Sequence, residues 1–399
     1  MNNFIHLDFK GIIPSTGELK RYLKWFSSIG FNGVVLEYDC RLAWKSWQGA
    51  GSPAYSMKDV KEIGEYIHEL GMECVPLIQS IGHLGWALHE EQFSHLRENG
   101  EYTELCPLHP EALPKIMSWI DEAVVLHPHC RYIHLGADES THLGSCPECR
   151  AAADPDDPLK NYLAHISKLC SHAIAAGKRP MIWSDMLWEN PESAKRLPPE
   201  TILVNWQYRG DAPFPHTQEL KKTGMEVWGA SALQCMYPGY EASCMSVLQD
   251  RMKNVKDWQN SGLDMIHTTW GRPNNFWTLY PPWAGLIPVF AEAGGVENAD
   301  AGKHFFQMFE QWQKLSGQLE ELKKEFHFLM DSKYCRQTVF RRFGCVEGFV
   351  EEDHEKQMEQ LIGKLRQWKE DTADFFKTCQ LSEAEEFIES RTEFFKYTK

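Results

Sequence analysis

The chain has 399 residues, 43% of them hydrophobic, which is enough for one large barrel with an appendage or for two ordinary domains. Its formal net charge of −15 argues against nucleic acid and against anionic membrane surfaces as partners. The 12 cysteines are scattered along the chain, a usage that fits reduced thiols in a cytoplasmic protein.

In chain order, residues 4–9 open with Phe4-Ile5-His6-Leu7-Asp8-Phe9, a strand pattern without the basic start and apolar core of a secretory leader. No apolar run in the sequence is long enough to span a bilayer, so no membrane association is expected. Further strand-like runs follow at 33–37, 73–78, 132–135, 180–183, 202–206, 225–228 and 264–268. Between them, residues 56–70, 110–126, 159–176 and 244–260 carry apolar side chains at helical spacing. Gly30, Gly71, Gly177, Gly224 and Gly262 each stand where a helix should close before the next strand. Eight strand–helix units predict an α/β fold, a (β/α)8 TIM barrel over residues 1–298. Glycine and proline then nearly vanish, and residues 305–330 and 355–376 become long, charged and amphipathic. A C-terminal α-helical extension over 299–399 is expected, and such helices are compatible with a homodimer.

The fourth strand runs into Gly136-Ala137-Asp138-Glu139. Strand C-terminal ends line the ligand crevice of a parallel barrel, so this acid pair stands where chemistry occurs. An isolated acid pair is ordinarily a solvated loop, but an apolar strand directly before it favours a functional pair. The other strand ends contribute Lys10, Glu37, Asp39, His83, Trp183, Asp185, Trp206, Tyr237, Trp270 and Arg272, with Gln79 and Tyr240 near them. Acids, one histidine and several of the 15 tryptophans around one mouth suit a sugar ring, with its apolar C–H faces and polar rim. Trp228, Trp277 and Trp283 fall in the same group of strand-end aromatics, whereas Trp25, Trp119, Trp258, Trp312 and Trp368 read as helix packing. No glycine-rich phosphate loop follows a strand.

His134-Leu135-Gly136-Ala137-Asp138-Glu139 resembles the His-x-Gly-x-Asp-Glu signature of glycoside hydrolase family 20, the β-N-acetylhexosaminidases. His6-Leu7-Asp8-Phe9-Lys10-Gly11, Leu36-Glu37-Tyr38 and Pro76-Leu77-Ile78-Gln79-Ser80-Ile81-Gly82-His83 make the likeness closest to its hexosaminidase D branch. The resemblance implies substrate-assisted hydrolysis, in which the 2-acetamido oxygen of the sugar attacks C1 and forms an oxazolinium ion. Glu139 is then the general acid and base, and Asp138 orients the acetamido group. An acid working near neutrality must keep its proton there, and a neighbouring anionic Asp138 with apolar walls favours that. Trp183, Trp206 and Trp270 correspond to the walls of the acetamido pocket, His83 to the histidine beside it, and Tyr237 or Tyr240 to the tyrosine that donates to the acetamido oxygen. Terminal N-acetylhexosamine glycans or glycosides are the implied substrates, with no cofactor.

The pattern also departs from the family. Lys10 stands where many members have an arginine, so recognition of the sugar hydroxyls loses a bidentate fork. The usual Trp-x-Glu of the last strand appears as Trp270-Gly271-Arg272, which leaves gluco against galacto preference open and leans toward tolerance of N-acetylgalactosamine. Two alternatives stay open on the residues: a non-catalytic sugar-binding barrel, or a conventional carboxylate pair of Glu139 with Glu37 or Asp39. Cys146-Pro147-Glu148-Cys149 reads first as reduced structural thiols with no metal, since a zinc would need Cys106, His109 or His142 to complete it.

Overall fold

The alternating apolar runs close into a parallel barrel. The computed structural model describes residues 1–10, 14–51, 53–210, 212, 214–234, 245–270, 292–294, 311, 314–330, 351–378 and 384–392. Its strands are β1 (Asn3–Asp8), β2 (Gly33–Glu37), β3 (Glu73–Leu77), β4 (Arg97–Glu98), β5 (Glu101–Leu105), β6 (Tyr132–His134), β7 (Arg179–Trp183), β8 (Ile202–Trp206), β9 (Glu226–Gln234) and β10 (Met265–Thr269). Eight of them pair in the closed order β1-β10-β9-β8-β7-β6-β3-β2, all in parallel. This is the expected (β/α)8 barrel.

Helices α1 (Thr16–Ser28), α2 (Met57–Glu69), α3 (Gly85–Leu88), α4 (Ala112–Leu126), α5 (Pro147–Ala151), α6 (Lys160–Ala175), α7 (Pro215–Lys222) and α8 (Met245–Gln259) occupy the connections. The entry to α2 shows why such helices begin where they do. Ser56 Oγ accepts from the Asp59 N–H at 3.2 Å and the Ser56 N–H donates to the Asp59 carboxylate at 2.8 Å, a reciprocal cap contributing about 1 kcal/mol. The five glycines expected to close helices all have positive φ. The sequence pattern did not announce the short helices α3 and α5 or the antiparallel hairpin β4–β5, whose turn residues Asn99 and Gly100 both have positive φ.

Strand periodicity decides which residues enter the barrel. Phe4, Val35, Val75, Leu77, Tyr132, Met181, Trp183, Ile202, Val204, Trp228, Ala230 and Ile266 form one buried cluster. Within β2, Val34 and Leu36 are also fully buried and lie on the opposite face from Val35, as expected when helices cover the outside. Trp228 belongs to this interior: its ring meets Phe4 at 5.2 Å and Tyr132 at 5.7 Å, and its indole N–H donates to Glu226. It is a packing residue, contrary to its grouping with the sugar-facing aromatics, and burying a side chain of this size contributes about 1.5–3 kcal/mol or more. Trp119, Trp258 and Trp368 are buried packing residues as expected.

The chain divides into two compact units. The first comprises Met1–Pro238, Asp250–Pro273 and Val289–Val296, and the second comprises Gly239–Gln249, Asn274–Pro288 and Glu297–Lys399. Within the second unit, residues 314–330 and Glu351–Thr378 are helical, and Leu315, Leu319, Leu322, Phe326, Leu361, Leu365, Trp368 and Phe376 are buried. The Trp368 indole N–H donates to the Leu315 carbonyl at 2.7 Å, and Lys364 pairs with Glu325 at 2.7 Å, so these two helices are joined by a buried bond and an exposed one. No described helix is long and apolar enough to cross a membrane.

Candidate active site

The period-2 rule carries the interior rows past the core and into the mouth. On β1 the row Phe4 continues through His6 and Asp8, on β2 Val35 continues to Glu37, and on β3 Leu77 continues to Gln79. On β6, β7, β8 and β10 the same rows reach His134, Trp183, Trp206 and Trp270. Contacts between neighbouring strands agree: the His6 and Trp270 rings lie 4.6 Å apart, and those of His134 and Trp183 lie 4.3 Å apart.

The acid pair follows a sharp break in β6. Gly136, Ala137 and Glu139 have φ of +59°, +76° and +46°, so the strand ends after three residues and the chain turns across the mouth. A side chain at Gly136 is disfavoured twice, because a Cβ would lie 1.9 Å from Gln79 Oε1, which would have to shift, and φ is left-handed. Among the described residues, four of the five non-glycine positions with positive φ are Asp39, His83, Ala137 and Glu139, all at this end of the barrel. Strain of this kind costs on the order of 1–3 kcal/mol per residue and concentrates at functional sites.

His83 stands between the two acids, with Nε2 3.4 Å from Asp138 Oδ2 and 3.3 Å from Glu139 Oε2. The negative charge of Asp138 pushes the imidazolium up to about 10, against the opposing effect of burial. Asp138 is 5% exposed, and its Oδ1 is buried with no hydrogen-bond partner among the described residues. The Glu139 side chain, on the same turn, is 53% exposed. Behind it, Asp185 accepts the Glu139 N–H at 2.8 Å and the Trp206 indole N–H at 3.2 Å. Burial, and then repulsion from Asp138, push the Asp185 carboxyl up to about 7.

A second charged cluster surrounds Lys10. Its ammonium contacts Asp8 at 3.2 Å, Asp39 at 3.1 Å and Glu37 through a short hydrogen bond. Glu37 also receives His6 at 3.0 Å and Gln79 at 2.9 Å. Burial alone would raise the Glu37 carboxyl, but Lys10 and His6 outweigh it and hold the group well below the usual carboxylate range. Asp39, also fully buried, goes the other way to about 7, because burial and the neighbouring Glu37 and Asp8 outweigh Lys10.

The aromatic residues form a curved wall. Trp183 and Trp270 lie 5.7 Å apart, the Trp270 indole N–H donates to Tyr208 at 2.9 Å, and Tyr208 stacks on Trp206 at 5.2 Å. Lys10, Glu37, Asp39, His83, Asp138, Glu139, Trp183, Asp185, Trp206 and Trp270 are thus brought to one end of the barrel. Tyr237, Tyr240, Arg272, Trp277, Trp283 and Trp312 lie outside the described residues. Sequence reasoning missed Tyr208 and His6 as members of the site. The signal was present in each case: Tyr208 continues the inward row 202-204-206, and His6 lies between Phe4 and Asp8.

A closed parallel barrel with paired carboxylates and an aromatic wall at its C-terminal rim belongs to the class of barrel hydrolases that act on sugars. The sequence profile of the glycosyl hydrolase family 20 catalytic domain matches residues 36–269, and the chain belongs to this family. Hexosaminidase D of Bos taurus is 31% identical over 308 residues, covering 71% of this chain and 87% of that protein. Hexosaminidase D of Homo sapiens is 31% identical over 256 residues, covering 58% of this chain and 50% of that one. The β-N-acetylhexosaminidase from Bacteroides fragilis has the same fold, with a TM-score of 0.58 at 19% identity over 79% of this chain and 71% of that one.

Proposed function

We propose that the barrel mouth hydrolyses terminal β-linked N-acetylgalactosamine or N-acetylglucosamine with retention of configuration, using the substrate's own acetamide as nucleophile. The observation that carries this reading is the division of labour in the acid pair. Asp138 is buried, tied by one oxygen to His83, and offers its other oxygen to a donor such as an acetamido N–H. Glu139 is half exposed on the same turn, where a glycosidic oxygen can reach it. In the first step the acetamido oxygen bonds to C1, the bond from C1 to the leaving oxygen breaks, and Glu139 gives that oxygen its proton. In the second, Glu139 takes a proton from water, which bonds to C1 and opens the oxazolinium ring. Asp138, as the carboxylate, stabilises the positive charge that develops on the acetamido nitrogen, and Trp183 and Trp270 supply apolar surface for its methyl group.

The conventional pair is disfavoured by the surroundings of its second member. Glu37 and Asp39 are both fully buried and committed to Lys10, so neither carboxylate is presented to a sugar carbon. A non-catalytic binding protein has no need of an exposed Glu139 held in a left-handed turn by Asp185. The deciding experiment measures hydrolysis of p-nitrophenyl β-N-acetylglucosaminide and β-N-acetylgalactosaminide with and without a thiazoline analogue of the intermediate. Competitive inhibition is expected, together with a loss of about 10² to 10⁴ in kcat for Glu139→Gln. Insensitivity to the thiazoline with turnover intact would overturn the assisted mechanism, and equal kcat for wild type and Glu139→Gln would overturn the role of Glu139.

A further inference from the structure

Away from the reacting centre, hairpin β4–β5 and the segment after the acid pair meet in a buried cluster of three thiols and one carboxylate. Cys106 Sγ lies 3.6 Å from Cys146 Sγ and 3.7 Å from Cys149 Sγ, and Cys149 Sγ lies 3.3 Å from Glu98 Oε2. The four ligand atoms all lie within 4.8 Å of one another. Glu98 and Cys149 are 0% exposed, and Cys106 and Cys146 no more than 5%. A tetrahedral zinc with Zn–S bonds of about 2.3 Å separates its sulfurs by about 3.8 Å, close to the observed spacing. A disulfide needs sulfurs about 2.05 Å apart and would in any case leave one of three thiols over.

The surroundings suit metal-bound thiolates. The Cys149 N–H donates to Cys146 Sγ at 3.3 Å, the Leu108 N–H bonds to Cys106, and the Cys146 N–H donates to Glu98 Oε1 at 2.8 Å. Such N–H donors orient ligands and spread their charge. Among the described residues no lysine, arginine or histidine pairs with Glu98, whose oxygens meet the Cys146 N–H and the thiols of Cys149 and Cys106. A buried carboxylate without a cation is costly, and a divalent ion among these four ligands removes that cost. His142 and His109, the histidines near the CxxC pair in sequence, are engaged elsewhere: His142 Nδ1 lies 3.0 Å from Glu104 Oε1, and His109 Nδ1 accepts the Glu111 N–H at 3.2 Å.

We propose that Glu98, Cys106, Cys146 and Cys149 form a closed structural zinc site that staples hairpin β4–β5 to the segment following Glu139. On binding, the three thiols release their protons to solvent and the ion takes three sulfurs and one oxygen. The staple has a location with consequences. The same hairpin bonds to the His83 loop through Leu105 N–H to Ile81 O at 2.8 Å and Leu84 N–H to Thr103 O at 3.1 Å. From its other side, Glu104 accepts the N–H groups of Thr141 and His142 at 2.7 and 2.9 Å, two and three residues beyond Glu139. Zinc therefore anchors the element that braces His83 on one side and the acid pair on the other, without touching either.

The test is metal analysis of the full chain, independent of any enzymatic assay. Protein purified without chelator is expected to carry about one zinc per chain, released by a mercurial thiol reagent. Cobalt exchanged into the wild type is expected to give sulfur-to-cobalt charge transfer in the near ultraviolet and intense tetrahedral bands in the red. Cys106→Ser and Glu98→Gln are expected to lose the metal, while Cys40→Ser, outside the cluster, retains it. The cobalt spectrum keeps the proposal testable on wild-type protein should the cluster variants fail to fold. Iron in place of zinc, cobalt spectra without sulfur bands, or wild-type protein that binds no zinc would overturn it.

Discussion

Asp185 offers a sharp test, because it acts on the acid pair from behind. Its two carboxylate oxygens accept two donors, the Glu139 N–H at 2.8 Å and the Trp206 indole N–H at 3.2 Å. Asparagine has the same shape and one acceptor, so whichever way the amide turns, one donor meets an NH2 group. Losing a charge-assisted bond of this kind, made by the ionised carboxyl that prevails above pH 7, costs about 1.5–3 kcal/mol. Glu139 is held at φ +46°, and without that bond the strained turn can relax. With about 1.4 kcal/mol per factor of ten, Asp185→Asn is expected to lower kcat roughly 10- to 100-fold. KM should move little, since Asp185 lies behind the reacting groups. Unfolding is separable from this effect by pH. The folded-state carboxyl is raised to about 7, so its stabilising contribution is complete below its unfolded value of about 4 and is lost as pH rises through 7. Near pH 8 asparagine removes an unfavourable buried charge, and thermal stability should fall less there than near pH 5. Steady-state kinetics on a chromogenic N-acetylhexosaminide, with melting curves at both pH values, test the argument. An unchanged kcat, or a rate loss that merely follows the melting temperature, would refute it.

Lys10→Met is expected to cost about 2–4 kcal/mol in urea unfolding, somewhat below a fully buried pair because the Lys10 side chain is 17% exposed; under about 1 kcal/mol would mark a surface pair instead. Gly136→Ala should lower stability by about 1–3 kcal/mol, because the new Cβ meets Gln79, which is itself bonded to Glu37. Gly177→Ala, equally left-handed but with open space around it, is the control, and similar melting temperatures for the two variants would remove the Gln79 contact from the account. His83 is raised to about 10, so its stabilising contribution is complete below about pH 6.5 and is lost as pH rises through 10. The wild-type urea midpoint should therefore fall more between pH 7 and 10 than that of His83→Gln, and parallel curves would exclude His83 as the cause.

Much of the barrel was legible because its strands are short apolar runs with period 2, and both halves of that period are buried. Each of the eight runs became a barrel strand in the expected order, since a fully covered parallel sheet leaves no polar face to blur the pattern. The hairpin β4–β5 was not legible in that way: its strands are short and mostly charged or polar, and the Asn99-Gly100 turn was its one strong signal. Trp228 and Trp183 look alike in sequence, each ending an apolar run. Both are buried in the barrel interior, but Trp228 packs on Phe4 and Tyr132, whereas Trp183 packs beside Trp270 at the mouth.

Sequence alone determined the barrel, the family and the acid pair, because strand periodicity and a run of adjacent residues are local properties. Tertiary structure decided what each charged group works against. Glu37, Asp39 and Asp185 all read as acids at the strand ends; closing the barrel buries the first two around Lys10 and bonds the third to the Glu139 N–H. It likewise brought Glu98 to Cys106, Cys146 and Cys149 from separate connections. Electrostatic partnership depends on distance and burial, and both are created only when the last strand pairs with the first.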